Sequence, residues 1–376
     1  MPDPTPLLLE CLHPAPDAAR LSALAPGADW DALLPVASAS GLAPLLYARL
    51  SAACPNSVPP AALETLRGAF LRNTRRNIML AAELLDVLDA LAAAGLPALP
   101  FKGPALAWSI YDSPGLREFS DLDLLVHRKD FVAARRVLAA LGYTPSDGHV
   151  PTAFLDYNNE LPLHHAQRRI QIDLHWHPTG AFHGLVEPEF FWSSLAQVEI
   201  GGRAVETFSA ERTFVYLCLH GGGHGWHSLK WLSDLAHLAA SHALDWQRLL
   251  CEARSRRITR HVLLGMALAE DLLGTECPAP VPLRTMKSRR VFAQARGHLL
   301  NGWPGQGRFR EMLFQWPLLE RGRDKFQLLW TMLQPTPADL GAVRLPPSCF
   351  GFYYGVRAAR LVCSTAAGFL SHSVSN

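Results

Sequence analysis

Three carboxylates carry the clearest chemical signal in this chain. Asp121 and Asp123 stand two apart in the run Asp121-Leu122-Asp123-Leu124-Leu125-Val126, and Asp173 follows fifty positions later between Ile172 and Leu174. Side chains two apart on a strand point the same way, so Asp121 and Asp123 project together while Leu122 and Leu124 face a core. Two carboxylates held side by side repel unless a cation stands between them, and their oxygens suit a hard ion such as Mg²⁺. An acidic cluster on a sheet is one way to hold metal for phosphoryl transfer. A strand bearing two aspartates can also be a solvent-facing edge. Here the rest of the strand is apolar, as in a covered strand, and Asp is unfavourable there without a reason.

The surrounding elements must position these acids. A short apolar run, 97–101, reads as a strand, followed by Lys102-Gly103-Pro104 and a helix from Pro104 to Tyr111. Pro fits the first turn of a helix, and a helix N-terminus presents free N–H groups and positive potential to an anion. Gly103 would let a phosphate approach the backbone closely. After the Pro114-Gly115 loop and the acidic strand, Asp130 to Leu141 reads as an amphipathic helix with Asp130 as N-cap and Gly142 as its stop. Leu161 to His165 and Arg169 to His177 read as two strands, and Val198–Ile200 with Ala204–Phe208 as a hairpin across Gly201-Gly202. Upstream, a long helix is expected from about Ala61 to Ala94, breaking or bending near Asn73. Helices dominate again from Ser209 onward. The expected fold is therefore α+β: a small mixed-sheet core over 96–208, with helical regions over 1–95 and 209–376.

Composition narrows the partners. The chain has 376 residues, a net charge of +2 and only 18% charged residues, so no whole-chain basic field exists for an extended nucleic-acid surface. Seven scattered cysteines without a Cys-x-x-Cys pair suggest a reduced, cytoplasmic setting. No basic n-region opens the sequence, and no uninterrupted apolar stretch reaches the ~20 residues of a spanning helix. Phe350 to Leu370 comes nearest, but Arg357 and Arg360 interrupt it, so a docked or buried helix is expected there.

Phe101-Lys102-Gly103, the Pro114-to-Arg117 loop, Ser120 to Val126, Leu141-Gly142-Tyr143 and Ile172 to Trp176 together resemble the polymerase-β-type nucleotidyltransferase superfamily. More narrowly they resemble its bacterial uncharacterised nucleotidyltransferases, whose helical region is similar to His220 through Asp234. The resemblance implies transfer of a nucleoside monophosphate from an NTP to an acceptor hydroxyl, with loss of pyrophosphate. It implies Asp121, Asp123 and Asp173 as catalytic metal ligands for Mg²⁺, two ions in the usual arrangement, and Gly103 as the phosphate-binding glycine. The common superfamily turn is Gly-Ser or Gly-Gly, whereas here Lys102 precedes the glycine and brings a charge in place of a hydroxyl. Arg117, four residues before Asp121, is a candidate bidentate phosphate clamp. Lys230 is a candidate triphosphate contact, or an i, i+4 partner of Asp234. His175 is a candidate neighbour of the nucleotide or of Asp173. The acceptor is a small molecule or a protein group, and the base, ATP or another, is open.

Histidines supply the main rival. Asp173, His175 and His177 alternate, His164 and His165 precede them, and His220, His224 and His227 surround three glycines. Such a set suits a His/Asp metallohydrolase, although no His-Glu-x-x-His occurs and histidines packed under the site are the plainer reading. A non-catalytic nucleotide sensor or antitoxin-like protein, and a kinase-like use of the same metal site, are further alternatives on the same fold.

Overall fold

The computed structural model describes residues 5–111, 113–145, 158–179, 185–276, 283–287, 289–302, 308–343 and 345–361. Five helices come first: α1 (Thr5–Leu12), α2 (Ala18–Leu24), α3 (Trp30–Ala39), α4 (Ala43–Ala53) and α5 (Pro60–Ala93). The mixed region follows as β1 (Ala98–Pro100), α6 (Gly103–Ile110), β2 (Asp121–Val126), α7 (Phe131–Ala140), β3 (Tyr143–Pro145), β4 (Glu160–His165), β5 (Ile170–His175), α8 (Pro188–Trp192), β6 (Leu195–Ile200) and β7 (Arg203–Phe208). Helices then return as α9 (Ala210–Gly223), α10 (Leu229–Ser241), α11 (Trp246–Arg256), α12 (Thr259–Leu273), α13 (Leu283–Lys287), α14 (Arg290–Asn301), α15 (Arg308–Gln315), α16 (Gly322–Leu333) and α17 (Pro337–Ala342). The α+β class and the mixed central sheet expected from the sequence are both present.

The sheet runs β1-β2-β5-β4-β3, with β2 and β5 parallel and the other neighbours antiparallel. The parallel pair needs a crossover, and α7, β3 and β4 supply it. Strand alternation divides the side chains between two cores. Leu122, Leu124, Ile172 and Leu174 enter a cluster under α5 and α7, with Leu84, Val87, Phe131 and Leu138. Leu125, two residues beyond Asp123, joins the other cluster with Leu99, Phe101 and Phe208. The hairpin β6–β7 turns at Gly201 and Gly202 as expected, both at positive φ. Thr207 Oγ1 donates to Pro100 O at 2.7 Å and ties this hairpin to the sheet edge.

Two expectations change. The long helix α5 is continuous over 34 residues, with no break at Asn73. Asn73 and Asn77 are buried because their amides donate to the carbonyls of the 113–117 loop: Asn73 to Gly115 and Arg117, and Asn77 to Pro114 and Arg117. The polar interruption in the pattern is a docking point for backbone that would otherwise be unpaired. The same helix packs its second half, Leu80 to Leu91, onto the sheet, so the sheet core recruits residues from before position 96. The docked helix expected over Phe350–Leu370 is helical in its described part, 353–361, and the rest lies outside the described residues.

Candidate active site on the sheet

The parallel register decides the geometry. Asp123 and Asp173 are direct partners across β2 and β5, and Asp121 is paired with Gln171 one pleat along. Parallel partners project to the same side, and neighbouring strands lie about 4.8 Å apart. The three acids therefore form a row on the face opposite the α5–α7 core. His175 extends this row on β5, and Glu160 and His164 are placed on the same face through their pairing with His175 and Gln171.

Asp123 is the centre of the row and is 3% exposed. Its Oδ1 accepts from Lys102 Nζ at 2.7 Å and from His175 Nε2 at 3.1 Å. Glu160 Oε2 stands 3.1 Å from the other ring nitrogen of His175, without the direction a hydrogen bond needs. Burial alone would raise the Asp123 carboxyl, but the Lys102 ammonium and the His175 hydrogen bond hold it well below the usual carboxylate range. Burial likewise opposes the charge on Lys102, and Asp123 outweighs it, holding the ammonium well above its ordinary value. The outer acids move the other way. Asp121 is raised by burial and by the charge of Asp123. Asp173 is raised to about 6 by burial and by Asp123, against a 2.7 Å hydrogen bond from Gln171.

A cavity of about 330 Å³ opens beside this row. Lys102, Glu160, Asp173 and His175 line its sheet side, Leu219, His220 and His224 come from α9, and Met312, Gln315, Leu328 and Met332 come from α15 and α16. His220 and His224 border the cleft between core and helices. Burial and neighbouring positive charge hold His220 well below its ordinary value and bring His224 down to about 4, so both are neutral at pH 7.

The other candidates fall in different places. Gly103 has φ +48° and is buried; a Cβ there would stand 3.1 Å from the Asp121 carbonyl oxygen. The close approach this glycine permits in the structure is to the β2 backbone. Arg117 is also redirected. Its Nε lies 2.9 and 3.0 Å from the two carboxylate oxygens of Asp234, and the residue is 7% exposed. This Nε–H, shared between both oxygens, ties Arg117 to α10, where Tyr111 Oη also donates to Asp234. Its charge still bears on Asp121. Asp234 is therefore not the partner of Lys230, whose Nζ donates to Glu118 O at 3.2 Å. Lys230 sits at the Asp121 end of the row, outside the cavity lining, and burial then Arg117 lower it.

The histidine set divides: His175, His220 and His224 stay at the cavity and others leave it. His177 lies past the end of β5 and bonds Val186 O and Thr179. His165 is on the opposite face of β4 and rests against Tyr143. His220, His224 and His227 each contact Trp231. Two of the three glycines beside them admit neighbours: a Cβ at Gly221 would meet Trp226 at 2.5 Å and one at Gly222 would meet His261 at 2.8 Å. Among the described residues, no three His, Cys, Asp or Glu side chains are gathered closely enough to hold a metal ion by themselves. The donor chemistry of the acid row does fit Mg²⁺: carboxylate oxygens only, in register, with two of the three acids raised by mutual charge and burial. Glu160 was not singled out from the sequence. It opens β4, and only the β4–β5 register puts it on the acid face.

No helix among the described residues is long and apolar enough to cross a membrane. The chain matches no curated protein. It is similar to the solved structure of an antigenic nucleotidyltransferase-like protein from Paracoccidioides brasiliensis, at 14% identity over 55% of this chain and 96% of that one, with a TM-score of 0.34. A likeness that loose supports no conclusion about fold or activity. Residues 26–274, which hold the whole acid row, match the family described as uncharacterised nucleotidyltransferase. The match spans well over half of the chain, and the chain belongs to that family.

Proposed function

We propose that this protein transfers a nucleoside monophosphate from an NTP to an acceptor hydroxyl, in a Mg²⁺-dependent reaction that releases pyrophosphate. The observation that carries the reading is the register of two parallel strands, which lines up Asp121, Asp123 and Asp173 beside a cleft. These carboxylates would hold the metal together with phosphate oxygens of the bound nucleotide, which complete a set that the side chains do not close by themselves. When bound, Mg²⁺ would neutralise charge on the phosphate oxygens and polarise the reacting phosphorus.

This chain's own side chains supply the rest. Lys102 on one side, and Arg117 with Lys230 on the Asp121 side, give the row positive flanks that favour a triphosphate. The acceptor oxygen bonds to the α-phosphorus as the bridge to the β-phosphate breaks, pyrophosphate leaves, and the acceptor's proton passes to the Asp173 carboxylate lining the cleft. His175 orients Asp123 through its Nε2 hydrogen bond. The neutral His220 and His224 and the apolar Met312, Leu328 and Met332 suit a small organic acceptor or a protein side chain better than a polyanion.

The test is a transfer screen with labelled ATP, GTP, CTP and UTP against candidate acceptors, with and without Mg²⁺, using Asp121→Asn/Asp123→Asn as the blank. Metal-dependent pyrophosphate release lost in the blank supports the reading; equal release by the blank overturns it. The Lys102–Asp123 ion pair favours one second reading, a nucleotide-binding protein without turnover. NTP binding with no pyrophosphate release under any metal would select it.

A further inference from the structure

The ammonium of Lys102 sits at the centre of the acid row. Its Nζ is 2.7 Å from Asp123 Oδ1, the oxygen that also accepts from His175, and the two side chains are 23% and 2% exposed. Asp173 is the cross-strand partner of Asp123, and Asp121 is two residues away on the same face. Among the described residues, Lys102 is the one lysine or arginine that bonds that central carboxylate. Its residue type is informative. The chain has thirty arginines and five lysines, so a cation here is far more often a guanidinium. An ammonium is a compact point charge that fits against one carboxylate oxygen, whereas a guanidinium is a wide fork. A lysine is the side chain that most nearly occupies the room of a small cation. Lys102 also lines the cleft, so it has somewhere to turn.

We propose that Lys102 is the built-in counter-cation of the acid row and competes with a divalent ion for Asp123. This rests on the reading of the three acids as metal ligands. Loading the row with metal requires Nζ to leave Asp123 Oδ1. The released ammonium then faces the cleft, where a triphosphate offers it a new partner. Without nucleotide the row binds metal weakly, because leaving Asp123 costs the lysine its closest ion pair. With nucleotide, metal and triphosphate favour each other's binding, because each removes a cost of the other. The lysine in place of the usual Ser or Gly thus couples metal loading to the arrival of substrate.

The test uses the full chain and Mn²⁺ as the probe, in calorimetric or paramagnetic binding titrations without nucleotide. Lys102→Met is expected to bind Mn²⁺ about tenfold or more tightly than the native chain, the size of effect that close charge pairs produce. Lys102→Arg keeps the charge and is expected to stay within a few-fold of native. A second measurement needs no variant: amine-reactive labelling read by mass spectrometry, with exposed Lys129 as the internal reference. Label at Lys102 should rise at saturating Mn²⁺ while Lys129 is unchanged. Equal Mn²⁺ affinity in native and Lys102→Met chains, or constant labelling at Lys102, overturns the competition and leaves the metal reading intact. Native binding that survives unchanged in Asp121→Asn/Asp123→Asn, or no Mn²⁺ binding by any of these chains, overturns the metal reading and the competition with it.

Discussion

The two faces of the central sheet are built from the same strands and obey different rules. Beneath it, Leu122, Leu124, Ile172 and Leu174 meet Leu84, Val87 and Leu138 in a wholly apolar contact, each of them fully buried. Above it, the alternate positions carry Asp121, Asp123, Asp173 and His175, and the ion pair and hydrogen bonds of Asp123 offset the burial of charge. The lower face gains from burial by area, roughly 2 kcal/mol for each large aliphatic side chain. The upper face gains little from burial, since desolvating charges costs about as much as pairing them returns. Burial alone does not account for its arrangement. One face holds the fold and the other is held by it.

Substitutions on the two faces should therefore separate activity from stability. The largest effect is expected above the sheet. Asp121→Asn/Asp123→Asn should lower NTP turnover by at least about 10³-fold, the scale of losing preorganised charge stabilisation, while circular dichroism and the urea midpoint stay near native. A variant that loses both together would erase the distinction. Next comes the wall beside the site. Arg117→Met leaves Asp234 buried without its guanidinium and should cost about 3–5 kcal/mol in urea unfolding; Arg117→Met with Asp234→Leu should recover most of that loss. If Arg117→Met instead keeps stability and raises only the KM for NTP, Arg117 is a phosphate clamp after all. Below the sheet, Leu174→Ala should cost about 2–5 kcal/mol through the cavity it leaves, with the KM of the folded fraction unchanged.

The smallest effect sharpens the comparison away from the sheet, where titration and not packing is at issue. His237 donates from Nδ1 to Ser233 O at 2.9 Å and turns Nε2 to the Arg49 guanidinium at 3.2 Å. Burial first, and Arg49 next, bring it down to about 4, against the pull of Ser233 O. Its folded value lies below the ordinary one of about 6.5, so the unfolded chain binds the extra proton first. The stability it contributes is whole above about pH 6.5 and declines as pH falls toward 4. His237→Gln should flatten that part of the stability profile in thermal unfolding; an unchanged slope would assign the decline to other groups.

Much of this was legible before any coordinates. The alternation around Asp121, Asp123 and Asp173 places each acid opposite leucine and isoleucine, and the hairpin is marked by Gly201-Gly202. Gly103 is legible as a special backbone position, but the atom it makes room for is the Asp121 carbonyl, eighteen positions further along the chain. Arg117 and Asp234 read as a phosphate clamp and a helical neighbour of Lys230 because their true partnership spans 117 positions. Asn73 reads as a break for the same reason: its partners lie 42 and 44 residues away.

The amino-acid order by itself determined which side chains share a strand face, because a two-residue period is written into contiguous backbone. The tertiary structure decided which strands became neighbours, and so which charges met. Setting Asp173 across from Asp123, bringing Lys102 and His175 to one oxygen of that acid, and giving Arg117 to α10 are long-range choices. They depend on the packing of α5, α7 and α9 around the sheet, and no local pattern encodes them.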